Sequence, residues 1–145
     1  QNDFHSYCQL GIAAQENGEL ESAIELFKKS IELNKNYFKS WLNLGACYLK
    51  LNNLNSAEHS LQQAVLLNPN EHSAHNNLGI VYSKLHNPEM AIKEFILALS
   101  LNPKSANTCF NLGLAYDSIG LNDKAYEFFK KAIELNPTYS KKIKL

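Results

Sequence analysis

The stretch WLNLGACYLKLNNLNSAEHSLQQAVLLNP, residues 41–69, decides the fold. Its first half carries packing residues three or four positions apart, at Trp41, Leu44, Gly45 and Tyr48. A turn around Asn52-Asn53 separates these from a second set with the same spacing, at Ala57, Leu61 and Ala64. Such spacing marks one face of a helix. At the end of the stretch, proline cannot continue a helix, and Asn68 is predicted to adopt the left-handed conformation of a helix end. The stretch therefore predicts two helices joined by a short turn.

The same pattern recurs every 34 residues along the chain. A glycine preceded by leucine lies at Gly11, Gly45, Gly79 and Gly113. The second helix repeats its alanine at Ala23, Ala57, Ala91 and Ala125, and a large residue at Phe27, Leu61, Phe95 and Phe129. Four copies in register indicate stacked helical hairpins. We expect one repeat domain over residues 4–139, divided into 4–37, 38–71, 72–105 and 106–139. Residues 140–145 are expected to begin a following or capping helix.

The glycine column calls for a physical reason, because glycine inside a helix costs about 1 kcal/mol relative to alanine. Its recurrence beside the alanine column predicts that the two backbones of each hairpin approach closely. A second local signal is Asn87-Pro88, which combines a capping residue with proline in the first turn and predicts a helix start.

The sequence from Trp41 to Pro69 resembles the tetratricopeptide repeat, and the resemblance covers residues 4–139. The first unit departs from the pattern, since Ala14 and Lys35 stand where later units have tyrosine and proline. The resemblance implies an all-α fold, a right-handed superhelical solenoid of four 34-residue helix-turn-helix units. It also implies a concave groove, lined by the first helix of each unit, that holds a protein partner.

Composition argues against several other classes of function. Fourteen acidic residues balance fourteen basic ones, all of them lysine, so no basic field favours nucleic acid or an anionic membrane. Three widely spaced cysteines do not suggest a disulfide framework, and we expect a cytoplasmic protein. His72 and His75 lie three residues apart, but no further ligand lies at useful spacing. We expect no enzymatic activity, no cofactor and no metal site.

The resemblance places a second set of side chains on the first helices, facing the groove. Asn43, Asn77 and Asn111 recur at the repeat step, with Gln9 in the same column. An amide side chain both donates and accepts hydrogen bonds, so such a ladder is suited to gripping a peptide backbone. It resembles the asparagine ladder of O-GlcNAc transferase repeat domains. The other predicted peptide-binding residues are Leu42, Asn76, Ile80, Phe110, Leu114, Lys39 and Asn107. Since the chain has 18 asparagines, composition alone remains an alternative source of the column.

The predicted function is therefore that of a scaffold that binds an extended peptide segment of another protein. Two alternatives stay open: a structural or self-associating repeat module, and the regulatory arm of a larger enzyme. The C-terminal repeat presents an apolar face near Tyr126, Phe129 and Ile133, which we expect to be covered by another copy of the chain or by a following helix. The carboxylate clamp of some tetratricopeptide repeats is rejected, because its columns hold no cation here and a buried carboxylate needs one.

Overall fold

The computed structural model describes residues 3–143, and within that range the chain is helical without any strand. Its α-helices are α1 (Phe4–Glu16), α2 (Leu20–Leu33), α3 (Phe38–Lys50), α4 (Leu54–Leu67), α5 (His72–Lys84), α6 (Pro88–Leu101), α7 (Ala106–Ser118) and α8 (Asn122–Leu135). A 3₁₀ helix, Pro137–Lys141, follows α8. The prediction of an all-α fold is confirmed. No helix in the described range has the length and apolar character needed to span a bilayer.

The helices form two compact units that divide between Asn70 and Glu71. Unit 1 holds α1–α4, and unit 2 holds α5–α8 and the 3₁₀ helix. Within each unit, successive helices pack as hairpins, and the second helix of one hairpin also packs on the first helix of the next. The predicted hairpins are therefore present, and their first helices begin at Phe4, Phe38, His72 and Ala106.

The glycine column makes room for a side chain of the paired helix. A Cβ atom on Gly45 would lie 2.6 Å from Leu61 Cγ, and one on Gly11 would lie 2.6 Å from Phe27 Cε1. In unit 2 the corresponding neighbours of Gly79 and Gly113 are the rings of Phe95 and Phe129. Each glycine therefore accommodates the large side chain of the second helix, whereas we expected it to let the two backbones approach. The alanines that we expected to meet the glycines are buried as a separate column, at Ala23, Ala57, Ala91 and Ala125.

The helix ends use asparagine differently from the prediction. Asn68 ends α4 in an extended conformation, with φ −142°, and its Oδ1 accepts a hydrogen bond from the Asn70 amide at 3.2 Å. This Asx turn satisfies the backbone without a left-handed residue. Left-handed residues occur instead within the hairpin turns, at Gly18, Asn52, His86 and Gly120. The predicted start of α6 is confirmed, because Asn87 Oδ1 accepts a hydrogen bond from the Met90 amide.

The residues after α8 fold back on unit 2. Tyr139 lies against Phe110, with ring centroids 5.2 Å apart, and Ile143 is buried beside Cys109 and Ala132. We expected a helix to begin at residue 140; the structure has a 3₁₀ helix that begins at Pro137, and residues 144–145 lie outside the described range. The C-terminal apolar face is thus partly covered by the chain's own residues.

Candidate functional site

The predicted site residues of unit 1 lie on α1 and α3, and none of them is fully buried. Asn43 is half-buried, and its Nδ2 donates a hydrogen bond to the Lys39 carbonyl oxygen at 2.8 Å. This bond uses one donor of the amide within its own helix. Gln9 and Lys39 are exposed, and Leu42 is half-buried. The structure therefore leaves Asn43 able to offer its carbonyl oxygen and one remaining N–H.

In unit 2, a buried polar network joins α5 to α7. Asn76 is only 8% exposed, and its Oδ1 accepts hydrogen bonds from Thr108 Oγ1 at 3.1 Å and from Asn111 Nδ2 at 3.2 Å. Thr108 is 1% exposed, and its hydroxyl also pairs with Ser105 Oγ at 2.9 Å. Asn76 was predicted to contact a peptide; the structure gives it a different role, because its amide oxygen holds α7 and orients Asn111.

Asn111 is the ladder residue that the structure positions best. It is half-buried, and after bonding to Asn76 it keeps a free carbonyl oxygen and a second N–H. Asn77 is also half-buried, and its side chain forms no hydrogen bond with other residues of the described range. Asn107 is exposed and accepts a long hydrogen bond from the Tyr139 hydroxyl, at 3.5 Å. The asparagine column thus contains residues in several different environments.

A cavity of about 490 Å³ lies beside Asn111, between α5 and α7. Two further predicted residues, Ile80 and Leu114, line it, and Leu114 is 47% exposed. Phe95 of α6 is part of the wall. The groove-facing columns of the first helices also supply Ser83, Lys84 and Ser118 to the lining. Sequence reasoning missed the remaining contributors, His86, Pro88 and Ala115. The exposed side chains of Lys84 and His86 add basic character to the rim of the cavity.

Phe110 does not belong to this cavity. Its ring packs against Phe129 and Tyr139, with centroid distances of 6.0 and 5.2 Å, and the Lys142 ammonium lies 5.8 Å from its centroid. Phe110 was predicted to contact a peptide, and the 3₁₀ segment packs against its ring. Phe110 remains half-buried beside residues 137–143, and its role in peptide binding stays a prediction.

The structure buries His75 and all three cysteines. His75 is buried, and its Nδ1 lies 2.8 Å from Glu94 Oε1. Cys8, Cys47 and Cys109 are free and buried, and burial raises the pKa of each thiol, that of Cys47 to about 11. Among residues 3–143, no three His, Cys, Asp or Glu side chains are placed to hold a metal ion.

Comparisons with known proteins agree with this architecture. Tetratricopeptide repeat models match residues 14–79, 72–105 and 106–139. Similar solved structures include a crystal structure of MamA, with 29% identity and a TM-score of 0.87 over 97% of this chain and 82% of that one. MamA 41-end from Desulfovibrio magneticus RS-1 is 28% identical, with a TM-score of 0.86 over 95% and 78% of the two chains. MamA AMB-1 is 27% identical, with a TM-score of 0.78 over 92% and 79%.

A comparison with curated protein sequences gave no match. The repeat models together extend from residue 14 to residue 139, and the helical hairpins have the spacing that those models describe. The chain therefore belongs to the tetratricopeptide repeat family and is a protein-interaction scaffold.

Proposed function

We propose that unit 2 binds an extended peptide segment of a partner protein in the cavity between α5 and α7. The observation that carries this proposal is the position of Asn111. Its amide is held by Asn76 at one side and lines a cavity of about 490 Å³ at the other. A binding group whose orientation is already fixed loses little conformational entropy when a ligand arrives.

The chemistry of the cavity fits a peptide. The free carbonyl oxygen and N–H of Asn111 match the donor and acceptor of one peptide unit. Ile80 and Leu114 offer apolar surface for a side chain of the ligand, and Lys84 lies at the rim. We expect ligands in which an apolar residue has an acidic neighbour, since an exposed ammonium attracts a carboxylate.

In this proposal the full asparagine ladder is reduced to its best supported part. Asn43, Asn77 and Asn111 all keep groups for a ligand, but the Asn111 amide is held by another helix, whereas Asn43 bonds to its own. We also propose that the chain acts by binding alone, without catalysis and without nucleic acid, and in the cytoplasm. The balanced charge, the absence of arginine and the three free buried thiols support this reading.

Self-association is a second candidate function. Although the 3₁₀ segment covers part of the end of unit 2, Tyr126 on α8 remains 53% exposed, and Leu121 nearby is also exposed. Exposed apolar surface of this kind favours a protein contact. The oligomeric state of the chain tests this candidate separately from peptide binding.

Peptides selected against the protein from a phage-displayed library provide a direct test. Their affinity should be measured by calorimetry for the parent and for Asn111→Ala. Loss of two hydrogen bonds, each worth roughly 0.5–1.5 kcal/mol, should weaken binding by about 1–3 kcal/mol. Leu114→Asp should weaken it further for peptides that carry an acidic residue.

Asn43→Ala is the matched control, because Asn43 occupies the same repeat position on a first helix of unit 1 and carries the same side chain. Binding of the selected peptides should be unchanged in this variant. If the peptides bind folded Asn111→Ala and Leu114→Asp as tightly as they bind the parent, the proposed site is wrong.

A further inference from the structure

Unit 1 contains a second groove, formed by α2, α3 and α4. It has a volume of about 590 Å³ and shares no residue with the cavity beside Asn111. Its lining includes Ile31, Trp41, Leu44, Tyr48, Ser56 and Ser60. The indole N–H of Trp41 is already bonded to the Lys35 carbonyl oxygen at 2.8 Å, so the rest of the ring presents apolar surface. We call this lining the α2–α4 groove.

The repeat symmetry shows that the equivalent groove of unit 2, with a volume of about 480 Å³, is lined by different side chains. Two repeats after Tyr48 stands Tyr116, and two repeats after Ser60 stands Phe128. The Phe128 ring stacks on Tyr116, with centroids 5.7 Å apart and planes inclined by 13°. The Lys124 ammonium, at the position equivalent to Ser56, lies 5.5 Å from the Tyr116 centroid. As a result, Tyr116 is buried, with 8% exposure.

Unit 1 lacks both of these covering side chains. Serine at positions 56 and 60 leaves Tyr48 partly exposed, and within the described range no ring stacks on it. Trp41 adds a second aromatic wall where unit 2 has the small Cys109. The indole meets the His59 ring edge-on, with centroids 5.8 Å apart. The groove therefore has aromatic walls and lacks the ring that packs at this place in unit 2.

We propose that an aromatic side chain of a partner protein occupies the α2–α4 groove and packs on Tyr48 as Phe128 packs on Tyr116. The charges at the rim, Lys28 and Glu32, offset each other and favour neither a cation nor an anion. Aromatic rings prefer offset-stacked or edge-to-face contacts with other rings, and Tyr48 and Trp41 offer both geometries. This inference does not rest on the peptide site of unit 2.

Trp41 is the only tryptophan in the chain, so its emission reports on this groove alone. The probes are two capped tripeptides, Ac-Ala-Phe-Ala-NH₂ and the same peptide with cyclohexylalanine, which keeps the size of the side chain but loses the aromatic ring. The phenylalanine probe should change Trp41 emission in a saturable way, with about a threefold to tenfold lower dissociation constant, as expected for an aromatic contact.

Three variants sharpen the test. Tyr48→Leu keeps an apolar wall and should remove the preference for phenylalanine. Ser60→Phe supplies the ring from α4 itself and should abolish the response. Asn111→Ala lies in unit 2 and should leave the response unchanged, which separates this inference from the proposed peptide site.

Circular dichroism confirms folding of each variant. If Ser60→Phe does not fold, Tyr48→Leu decides alone. The proposal is overturned if the phenylalanine probe gives no saturable response, if the two probes bind equally, or if folded Tyr48→Leu keeps the preference for phenylalanine.

Discussion

Replacing Asn76 by alanine should destabilise unit 2. The Asn76 amide oxygen accepts hydrogen bonds from Thr108 and Asn111, so the substitution breaks two links between α5 and α7. Each hydrogen bond contributes roughly 0.5–1.5 kcal/mol, which gives a loss of about 1–3 kcal/mol. Alanine is the better helix former by up to about 0.7 kcal/mol, and this gain offsets part of the loss. We expect a net decrease in the free energy of unfolding of about 0.3–3 kcal/mol.

The loss should be modest because Thr108 keeps one partner. Its hydroxyl can still pair with Ser105 Oγ, 2.9 Å away, after Asn76 is gone. The donor left without an acceptor is the Asn111 amide, which is only half-buried and can reach water. Orientation of Asn111 should therefore suffer more than stability. Peptides selected against the parent should bind Asn76→Ala more weakly, although Asn76 itself touches no ligand in the proposed site.

Urea unfolding followed by circular dichroism measures the stability change, and amide hydrogen exchange on α7 locates it. Asn43→Ala is the matched control, since its amide bonds only to its own helix, and its stability should stay within about 0.5 kcal/mol of the parent. If Asn76→Ala unfolds at the same urea concentration as Asn43→Ala, with unchanged exchange on α7, the network does not hold the helices together.

Three other outcomes follow from packing and burial. Gly79→Leu should cost more than the 1–3 kcal/mol that is typical of overpacking, because the Phe95 ring already fills the space; an unchanged denaturation midpoint would contradict this. Burial raises the pKa of the Cys47 thiol to about 11, so this thiol deprotonates at a lower pH in the unfolded chain than in the folded one. The free energy of unfolding should therefore fall between about pH 9 and 11. Urea midpoints across that range should fall more steeply for the parent than for Cys47→Ala. Tyr126→Ser should reduce any concentration-dependent mass seen by light scattering, and equal masses for both proteins would exclude this tyrosine from the contact.

The hairpins could be predicted from the sequence because four glycines, four alanines and four large residues recur at one spacing. Such a column shows that a position is constrained, but it does not identify the neighbour. The sequence therefore predicted close approach at Gly45 without revealing that Leu61 fills the space. The wrong prediction for Asn68 has the same origin. Asparagine is typical both of an extended Asx turn and of a left-handed helix end, so the residue type did not distinguish the two.

The candidate site was harder to predict, because adjacent residues of one helix differ in their environment. Asn76 and Asn77 are neighbours in the sequence, yet the first is buried in a network and the second keeps its side chain available. The difference depends on Thr108, which lies on another helix and has no distinguishing pattern in the sequence. The surroundings of Phe110 were hidden for a related reason, since only the fold shows that Tyr139 returns to pack against it.

Comparison of the two units explains why one asparagine column has more than one role. The counterparts of Asn76, Thr108 and Asn111 in unit 1 are Cys8, Ser40 and Asn43. The Ser40 hydroxyl pairs with the Ser30 hydroxyl at 2.6 Å. Burial raises the pKa of the Cys8 thiol, and the nearby Ser40 hydroxyl offsets part of that rise.

A thiol is a weak acceptor, so Cys8 offers Asn43 little of what Asn76 offers Asn111. Asn43 accordingly turns back to the Lys39 carbonyl oxygen. The orientation of an asparagine in this column therefore depends on the side chain that faces it from the first helix of the preceding repeat, as Asn76 faces Asn111. An asparagine of this column is held in a fixed orientation where, as at Asn111, an acceptor such as Asn76 lies behind it.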